Sequence, residues 1–195
     1  ASRAASDPHG VVIQDTAWSG YEEIPTWIMQ GYCTMMDEAM EQCPQPPTHV
    51  FVQAGVGSLA GAIIAYLATH CPADTVRTIV VEAAAAACLY QSAAAGDGKP
   101  RIVTGDLSTI MAGLACGEPN CIAWDILRNH ADCFLTIDDK TCARGMRMLA
   151  APCKGDPPIT SGESGASTFA ALAAVMQDPR AERLRRALAL DHNAR

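Results

Sequence analysis

Residues 48–68 read THVFVQAGVGSLAGAIIAYLA, a short run of β-branched and apolar residues, a glycine-bearing turn, and a long run of small and aliphatic residues. The first run favours a buried strand and the last a helix. Gly55 and Gly57 stand where the strand hands over to the helix. At such a junction, backbone N–H groups and a helix N-terminus can hold an anion. We call residues 54–58 the glycine hinge and treat it as a candidate phosphate site.

The glycine hinge alone supports two interpretations. It lacks the lysine of a P-loop and the full glycine spacing of a dinucleotide fingerprint, which disfavours a nucleotide-binding Rossmann module. The alternative to a phosphate site is a tight strand-to-helix turn in which glycine permits close packing.

The rest of the chain repeats the strand-then-helix pattern. Because the β-rich runs are nearly continuous in valine and isoleucine, both faces of the sheet should be covered. We therefore predict an α/β fold, an open and mostly parallel sheet with helices on both faces. The predicted strands are residues 10–14, 49–53, 76–82 and 133–137, and the predicted helices are residues 26–42, 58–70, 83–94, 120–131, 138–150, 164–177 and 179–190.

Capping residues mark several predicted helix starts. Polar side chains that accept from the first turn favour a helix N-terminus, and proline suits the first helical position. The predicted caps are Ser58, Asn120, Asp138 and Ser164, with Pro179 in a first turn.

Composition limits the class of partner. Of 195 residues, 49% are apolar and 18% charged, which is typical of a globular protein. The net charge of −7 disfavours nucleic acid and anionic membranes, so a small molecule is expected. No apolar run is long enough to cross a bilayer. The nine cysteines form no CxxC pair, which favours reduced thiols in a cytoplasmic protein and no metal site.

Several stretches, in order, resemble landmarks of the fold-type II pyridoxal-phosphate enzymes. They are WIMQGYCTMMDEAMEQ at 27–42, the glycine hinge, IVVEA at 79–83, STIMAGLACGEPN at 108–120 and SGESGAS at 161–167. The stretch VVIQDTAWSGYEEIPTWIMQGY at 11–32 is similar to the diaminopropionate ammonia-lyase branch in particular. This resemblance extends over about residues 10–190.

The resemblance implies a cofactor, pyridoxal 5'-phosphate, and a cradle for its phosphate. The cradle would be the backbone of five residues: Ala54, Gly55, Val56, Gly57 and Ser58.

Asp15, in the QDTAW motif, has a second implied role. The resemblance places an acidic residue here that faces the substrate Cα and serves as acid or base. From the residues alone, the favoured interpretation of Asp15 is a turn or helix cap beside Thr16.

The implied reaction is an α,β-elimination that converts 2,3-diaminopropionate, an amino-acid substrate, to pyruvate and ammonia, with pyridoxal phosphate as electron sink. The resemblance also implies amino-acid catabolism and a homodimer in the full-length protein. Two alternatives remain: another fold-type II lyase or dehydratase, and a non-catalytic phosphate-binding remnant.

Parts of the family pattern are absent from this sequence. The Schiff-base lysine of the family lies upstream of the QDTAW motif, and Lys99, Lys140 and Lys154 match no family motif. The segment AAAAAC after Glu82 is also less polar than the resemblance implies. We therefore expect a fragment that is inactive alone, with the end of a small domain at residues 1–23 and part of the large cofactor domain at residues 24–195.

Overall fold

The structure is a computed structural model, and it describes Asp7 and residues 9–195. The first predicted domain segment, residues 1–23, therefore lies partly outside the described residues. Among these residues, three strands alternate with helices. In order, the elements are α1 (Glu23–Gln42), β1 (His49–Gln53), α2 (Ser58–His70), β2 (Arg77–Ala83), α3 (Cys88–Ala95), α4 (Cys121–His130), β3 (Cys133–Ile137), α5 (Asp139–Ala150), α6 (Glu163–Gln177) and α7 (Glu182–Leu188), with short 3-10 turns at Ala84–Ala86, Ala112–Leu114 and Pro179–Ala181.

The three described strands form one parallel sheet in the order β1-β2-β3. Val80 of β2 pairs with Val52 of β1 on one side and with Phe134 of β3 on the other. The central strand is almost completely buried, as the continuous apolar run TIVV predicts. The predicted α/β fold with a parallel sheet is confirmed.

Helices cover both faces of the sheet. Because successive side chains of each strand point to opposite faces, each strand contributes to two separate cores. Val52 and Val80 lie in one core, and Ile79 and Val81 lie in the other. The first core is closed by residues of α1 to α4, namely Met36, Ile64, Leu89 and Leu127. The second core is closed by residues of α5 to α7, namely Cys142, Ala170, Val175 and Leu188.

The strand predicted at residues 10–14 is wrong for the chain as described. This segment has no ladder partner among the described residues, and Val11 and Ile13 are 70% and 75% exposed. The Tyr21 hydroxyl holds it instead, by donating to the Val12 carbonyl (2.8 Å) and accepting from the Gln14 N–H (3.1 Å). An apolar β-branched run raises strand propensity, but a strand forms only where a neighbour satisfies its backbone groups.

The predicted helix starts are only partly confirmed. Asn120 and Asp138 cap α4 and α5 through their side chains. Ser58 and Ser164 instead lie inside α2 and α6, which glycines precede. The helix predicted at 83–94 begins later, at Cys88, after a 3-10 turn.

Two further features concern helix length and the cysteines. Within Asp7 and residues 9–195, no helix combines the length and apolar character that crossing a bilayer requires. All nine cysteines are free thiols.

Candidate cofactor site

A cavity of about 310 Å³ lies at the carboxyl end of β1, where open parallel sheets bind ligands. Five separate parts of the chain meet around it: the QDTAW segment, α1, the glycine hinge, the 3-10 turn after residue 110, and the start of α6. Its walls include Asp15, Tyr32, Gly55, Gly113, Cys116 and Ser164.

Both hinge glycines are required by the local geometry. Gly57 adopts a φ of 100°, in the left-handed region that L side chains rarely enter. A Cβ on Gly55 would lie 3.1 Å from the Gly113 carbonyl oxygen and 3.2 Å from the Cys116 Sγ. Ala54, Gly55, Val56 and Ser58 line the cavity, and the positive φ of Gly57 lets the chain turn from β1 into α2.

The hinge offers a set of free donors for an anion. Within the described part of the chain, the N–H groups of Gly55, Gly57 and Ser58 donate to no acceptor. Ser58 is the first residue of α2, so the positive end of the helix dipole adds to these donors. This donor set fits a phosphate monoester dianion.

Two other residues of the predicted cradle use their N–H groups differently. The Ala54 N–H donates to the Val81 carbonyl in the sheet (2.9 Å). Ala54 therefore lines the cavity but has no free N–H for an anion. Burial and the charge of Asp15 raise the pKa of the Cys116 thiol, whereas the Val56 N–H, which faces this thiol, lowers it. Only part of the hinge is therefore available to a phosphate.

Asp15 is half-buried, and its main chain is tied to the hinge. Its carbonyl oxygen accepts hydrogen bonds from the Ser58 hydroxyl (2.8 Å) and from the Asn120 Nδ2 (2.6 Å). The Ser58 hydroxyl proton is thus engaged within the chain, whereas the backbone N–H of Ser58 has no acceptor among the described residues. Burial raises the pKa of the Tyr32 hydroxyl, and the negative charge of Asp15 raises it further. The carboxyl group of Asp15 therefore acts electrostatically on the cavity wall.

The lysines of the chain lie elsewhere. Lys99, Lys140 and Lys154 are all exposed, and none of them lines this cavity as the described residues form it. Among the residues that the structure describes, no group of three or more His, Cys, Asp or Glu side chains has the arrangement of a metal site.

Glu82 is completely buried, and in the sequence it stands out only as part of the stretch IVVEA at 79–83. Its carboxylate accepts from the N–H groups of Leu89 (2.9 Å) and Tyr90 (2.6 Å) at the start of α3. Burial raises its pKa to about 7, against the lowering effect of these N–H groups. Burial and the nearby Glu82 raise the pKa of the Cys88 thiol to about 12. In the sequence, the signal that could have marked Glu82 is a carboxylate at the end of the apolar run IVV.

The alanine-rich segment after Glu82 supports the hinge from behind. It leads into α3, where the Cys88 Sγ donates to the Gly55 carbonyl (3.7 Å). A Cβ on Gly57 would meet the Leu89 Cδ1 at 3.3 Å. The segment therefore contacts the hinge even though it departs from the polar pattern that the resemblance implies.

A family model described as pyridoxal-phosphate dependent enzyme matches residues 1–187. The chain belongs to this family. Membership agrees with the parallel sheet and with a phosphate-sized donor set at the carboxyl end of β1.

Individual members of the family are similar over nearly all of this chain. A diaminopropionate ammonia-lyase from Salmonella typhimurium is 50% identical over 100% of this chain and 49% of its own length. A crystal structure of diaminopropionate ammonia lyase from Escherichia coli, in complex with an aminoacrylate-PLP azomethine reaction intermediate, is 49% identical with a TM-score of 0.85. That alignment covers 94% of this chain and 46% of the solved chain.

A more distant enzyme shares the fold alone. The processed form of threonine deaminase isoform 2 from Solanum lycopersicum is 18% identical, with a TM-score of 0.65 over 75% of this chain and 40% of its own. This chain spans about half the length of the curated relatives it matches.

Proposed function

We propose that this chain is the part of a diaminopropionate ammonia-lyase that holds the cofactor phosphate and presents Asp15 to the substrate. The reaction would be the α,β-elimination of 2,3-diaminopropionate to pyruvate and ammonia. One observation carries the proposal: a single cavity brings Asp15 together with Gly55 and Ser58, two hinge residues whose N–H groups donate to no acceptor among the described residues. The 50% identity to enzymes of that name supports this choice of substrate.

The cofactor would be held by the hinge. The N–H groups of Gly55, Gly57 and Ser58 would bind the phosphate oxygens, with the N-terminus of α2 behind them. Ala54 and Val56 would complete the wall. Pyridoxal phosphate, when bound, supplies an electron sink that makes the substrate Cα–H bond acidic.

Asp15 would hold or move the proton at the substrate Cα. General acid–base groups act only when a fixed geometry brings them within hydrogen-bond reach of that proton. Two hydrogen bonds to the Asp15 carbonyl oxygen fix its main chain, so the carboxyl group has only its own side-chain torsions to search.

The remaining parts of the machinery would come from polypeptide beyond this stretch. Because the three lysines of the chain lie away from the cavity, another segment would supply the lysine that binds the cofactor. Residues 1–23 would then end a small domain and residues 24–195 would form part of the large one. We further propose a cytoplasmic homodimer that acts in amino-acid catabolism.

The test is Asp15→Asn in the full-length polypeptide. We expect the variant to bind pyridoxal phosphate like the unmodified protein, with elimination from 2,3-diaminopropionate slower by about 100-fold or more. Pyruvate release gives the rate, and the cofactor absorbance band gives the binding. Asp156→Asn, at an exposed loop position, is the matched control and should leave both unchanged.

Two outcomes would point to the alternatives. Faster deamination of threonine or serine than of 2,3-diaminopropionate would assign the chain to another lyase or dehydratase. Phosphate binding without any release of pyruvate would assign it to a non-catalytic remnant.

A further inference from the structure

Asn120 occupies a completely buried position between the glycine hinge and α4. Its side-chain Oδ1 accepts from the N–H groups of Ile122 (2.9 Å) and Ala123 (3.1 Å), which caps α4. Because both N–H groups bind this oxygen, the orientation of the amide is fixed, and Nδ2 must point the other way.

The amide nitrogen of Asn120 points at the two groups that join Asp15 to the hinge. Nδ2 donates to the Asp15 carbonyl oxygen (2.6 Å) and to the Ser58 Oγ (2.9 Å). Since Ser58 Oγ accepts from Asn120, its own proton is directed to the Asp15 carbonyl (2.8 Å). These three bonds close a triangle whose corners are Asn120, Ser58 and Asp15.

The backbone of Asn120 makes a second bond to the hinge. Its N–H donates to the Val56 carbonyl (2.8 Å), in the middle of the glycine hinge. One residue therefore contacts the hinge twice, the main chain of Asp15 once and the first turn of α4 twice.

We propose that Asn120 is a positioning residue that fixes the main chain of Asp15 against the glycine hinge, and so couples the placement of the Asp15 carboxyl group to the phosphate site. The inference rests on the proposed function insofar as it gives Asp15 a part in the reaction. The amide is suited to this position because it is an acceptor on one side and a donor on the other. Aspartate or serine would cap α4 equally well but would lack the amide donor.

The decisive variant is Asn120→Asp in the full-length protein. The introduced carboxylate keeps the cap, and the helix N-terminus and two N–H donors favour its ionised form, which donates nothing. The Ser58 hydroxyl is then free to turn toward this carboxylate and away from Asp15. We expect kcat at saturating cofactor to fall by about 10- to 100-fold, because small misplacements of a reacting group are that costly, with KM changed by less than about 3-fold.

A second readout needs neither cofactor nor activity. Hydrogen exchange of residues 12–21, followed by mass spectrometry in the cofactor-free protein, reports on the N–H groups of Gln14, Trp18 and Tyr21, all hydrogen-bonded here. We expect several-fold faster exchange in Asn120→Asp and a smaller increase in Ser58→Ala, which removes one of the two donors to Asp15. Asn129→Asp makes the same chemical change at an exposed position of the same helix and should match the unmodified protein.

The outcomes separate this inference from the proposed function. Unchanged exchange in both Asn120→Asp and Ser58→Ala would overturn the inference, as would faster exchange with an unchanged kcat. Failure of the unmodified protein to act on 2,3-diaminopropionate would overturn the proposed function, while exchange in the cofactor-free protein would still decide whether Asn120 holds Asp15.

Discussion

Glu82 shows how one buried side chain can make the stability of the fold depend on pH. It lies near the end of the central strand and is completely buried, and its carboxyl group organises the start of α3 behind the hinge. Burial raises its pKa from 4.5 to about 7. Over that interval the folded protein binds more protons at this position than the unfolded chain does, so the free energy of unfolding must fall as the pH rises.

We predict that Glu82→Gln removes this fall in stability. In the unmodified protein, Glu82 should lower the free energy of unfolding by on the order of 3 kcal/mol between pH 4.5 and 7, since one pKa unit corresponds to about 1.4 kcal/mol. The neutral amide cannot titrate, so this part of the slope should disappear. Urea unfolding at half-unit pH steps measures the slope.

Glu38→Gln serves as the control because Glu38 lies on the exposed face of α1. It should leave the pH dependence as it is in the unmodified protein. Equal slopes for Glu82→Gln and the unmodified protein would show that Glu82 stays charged in the fold despite its burial.

At the residue scale, the sequence predicts which residues belong to the site better than it predicts their hydrogen-bond partners. The motifs single out Asp15 and the glycine hinge, and the structure brings them to one cavity. Asn120 was predicted only as a helix cap, because spacing along a chain reports contacts within one helix. Its bond to Asp15 crosses 105 positions, and no local pattern encodes such a contact.

At the scale of elements, the junction from β1 to α2 is where sequence and geometry agree most closely. Gly57 combines a positive φ with packing on three sides, where a Cβ would lie 3.2 Å from Leu127, 3.3 Å from Leu89 and 3.4 Å from Ala123. The backbone angle therefore favours glycine here, and the neighbouring side chains leave little room for a Cβ.

We predict that Gly57→Ala destabilises the fold by about 1–3 kcal/mol, from the left-handed backbone and the crowding together. The same change should weaken binding of pyridoxal phosphate, because the hinge must shift to admit the methyl group. Thermal unfolding and a cofactor titration on the full-length protein measure the two effects.

Gly31→Ala is the matched control with the opposite sign. Gly31 lies inside α1, is exposed, and has no neighbour within 4 Å of an added Cβ. Alanine should stabilise the helix there by about 0.5–1 kcal/mol. Destabilisation by Gly31→Ala as large as that by Gly57→Ala would mean that the geometry of the hinge is not the cause.

The one strand predicted wrongly shows what periodicity lacks. Residues 10–14 and 49–53 are both short apolar runs, yet only the second is a strand in the described chain. The difference lies in the neighbours, because residues 49–53 pair with β2 whereas residues 10–14 have no partner among the described residues. Whether a run with strand propensity becomes a strand depends on a neighbouring strand to pair with, and a local sequence window does not contain that neighbour.

At the scale of the whole molecule, the two cores and the cavity differ in what the described residues supply to them. Both cores are formed by elements of this chain, with α1 to α4 on one face of the sheet and α5 to α7 on the other. The cavity has donors for a phosphate but no lysine in the wall that the described residues form, and Val11 and Ile13, close to Asp15 in the chain, are largely exposed. The described residues thus supply donors for a phosphate at the cavity but no lysine in its wall.

This division leads to a prediction for the 195-residue chain by itself. Mixed with pyridoxal phosphate and reduced with borohydride, it should yield no stoichiometric adduct at Lys99, Lys140 or Lys154, because all three are exposed and away from the hinge. Peptide mapping measures the labelling. Pyridoxal without its phosphate is the control: surface lysines should react with either aldehyde, whereas labelling directed by the hinge requires the phosphate. A stoichiometric, phosphate-dependent adduct at one of the three lysines would mean that this chain carries its own cofactor-binding lysine, and the proposed division of the machinery would be wrong.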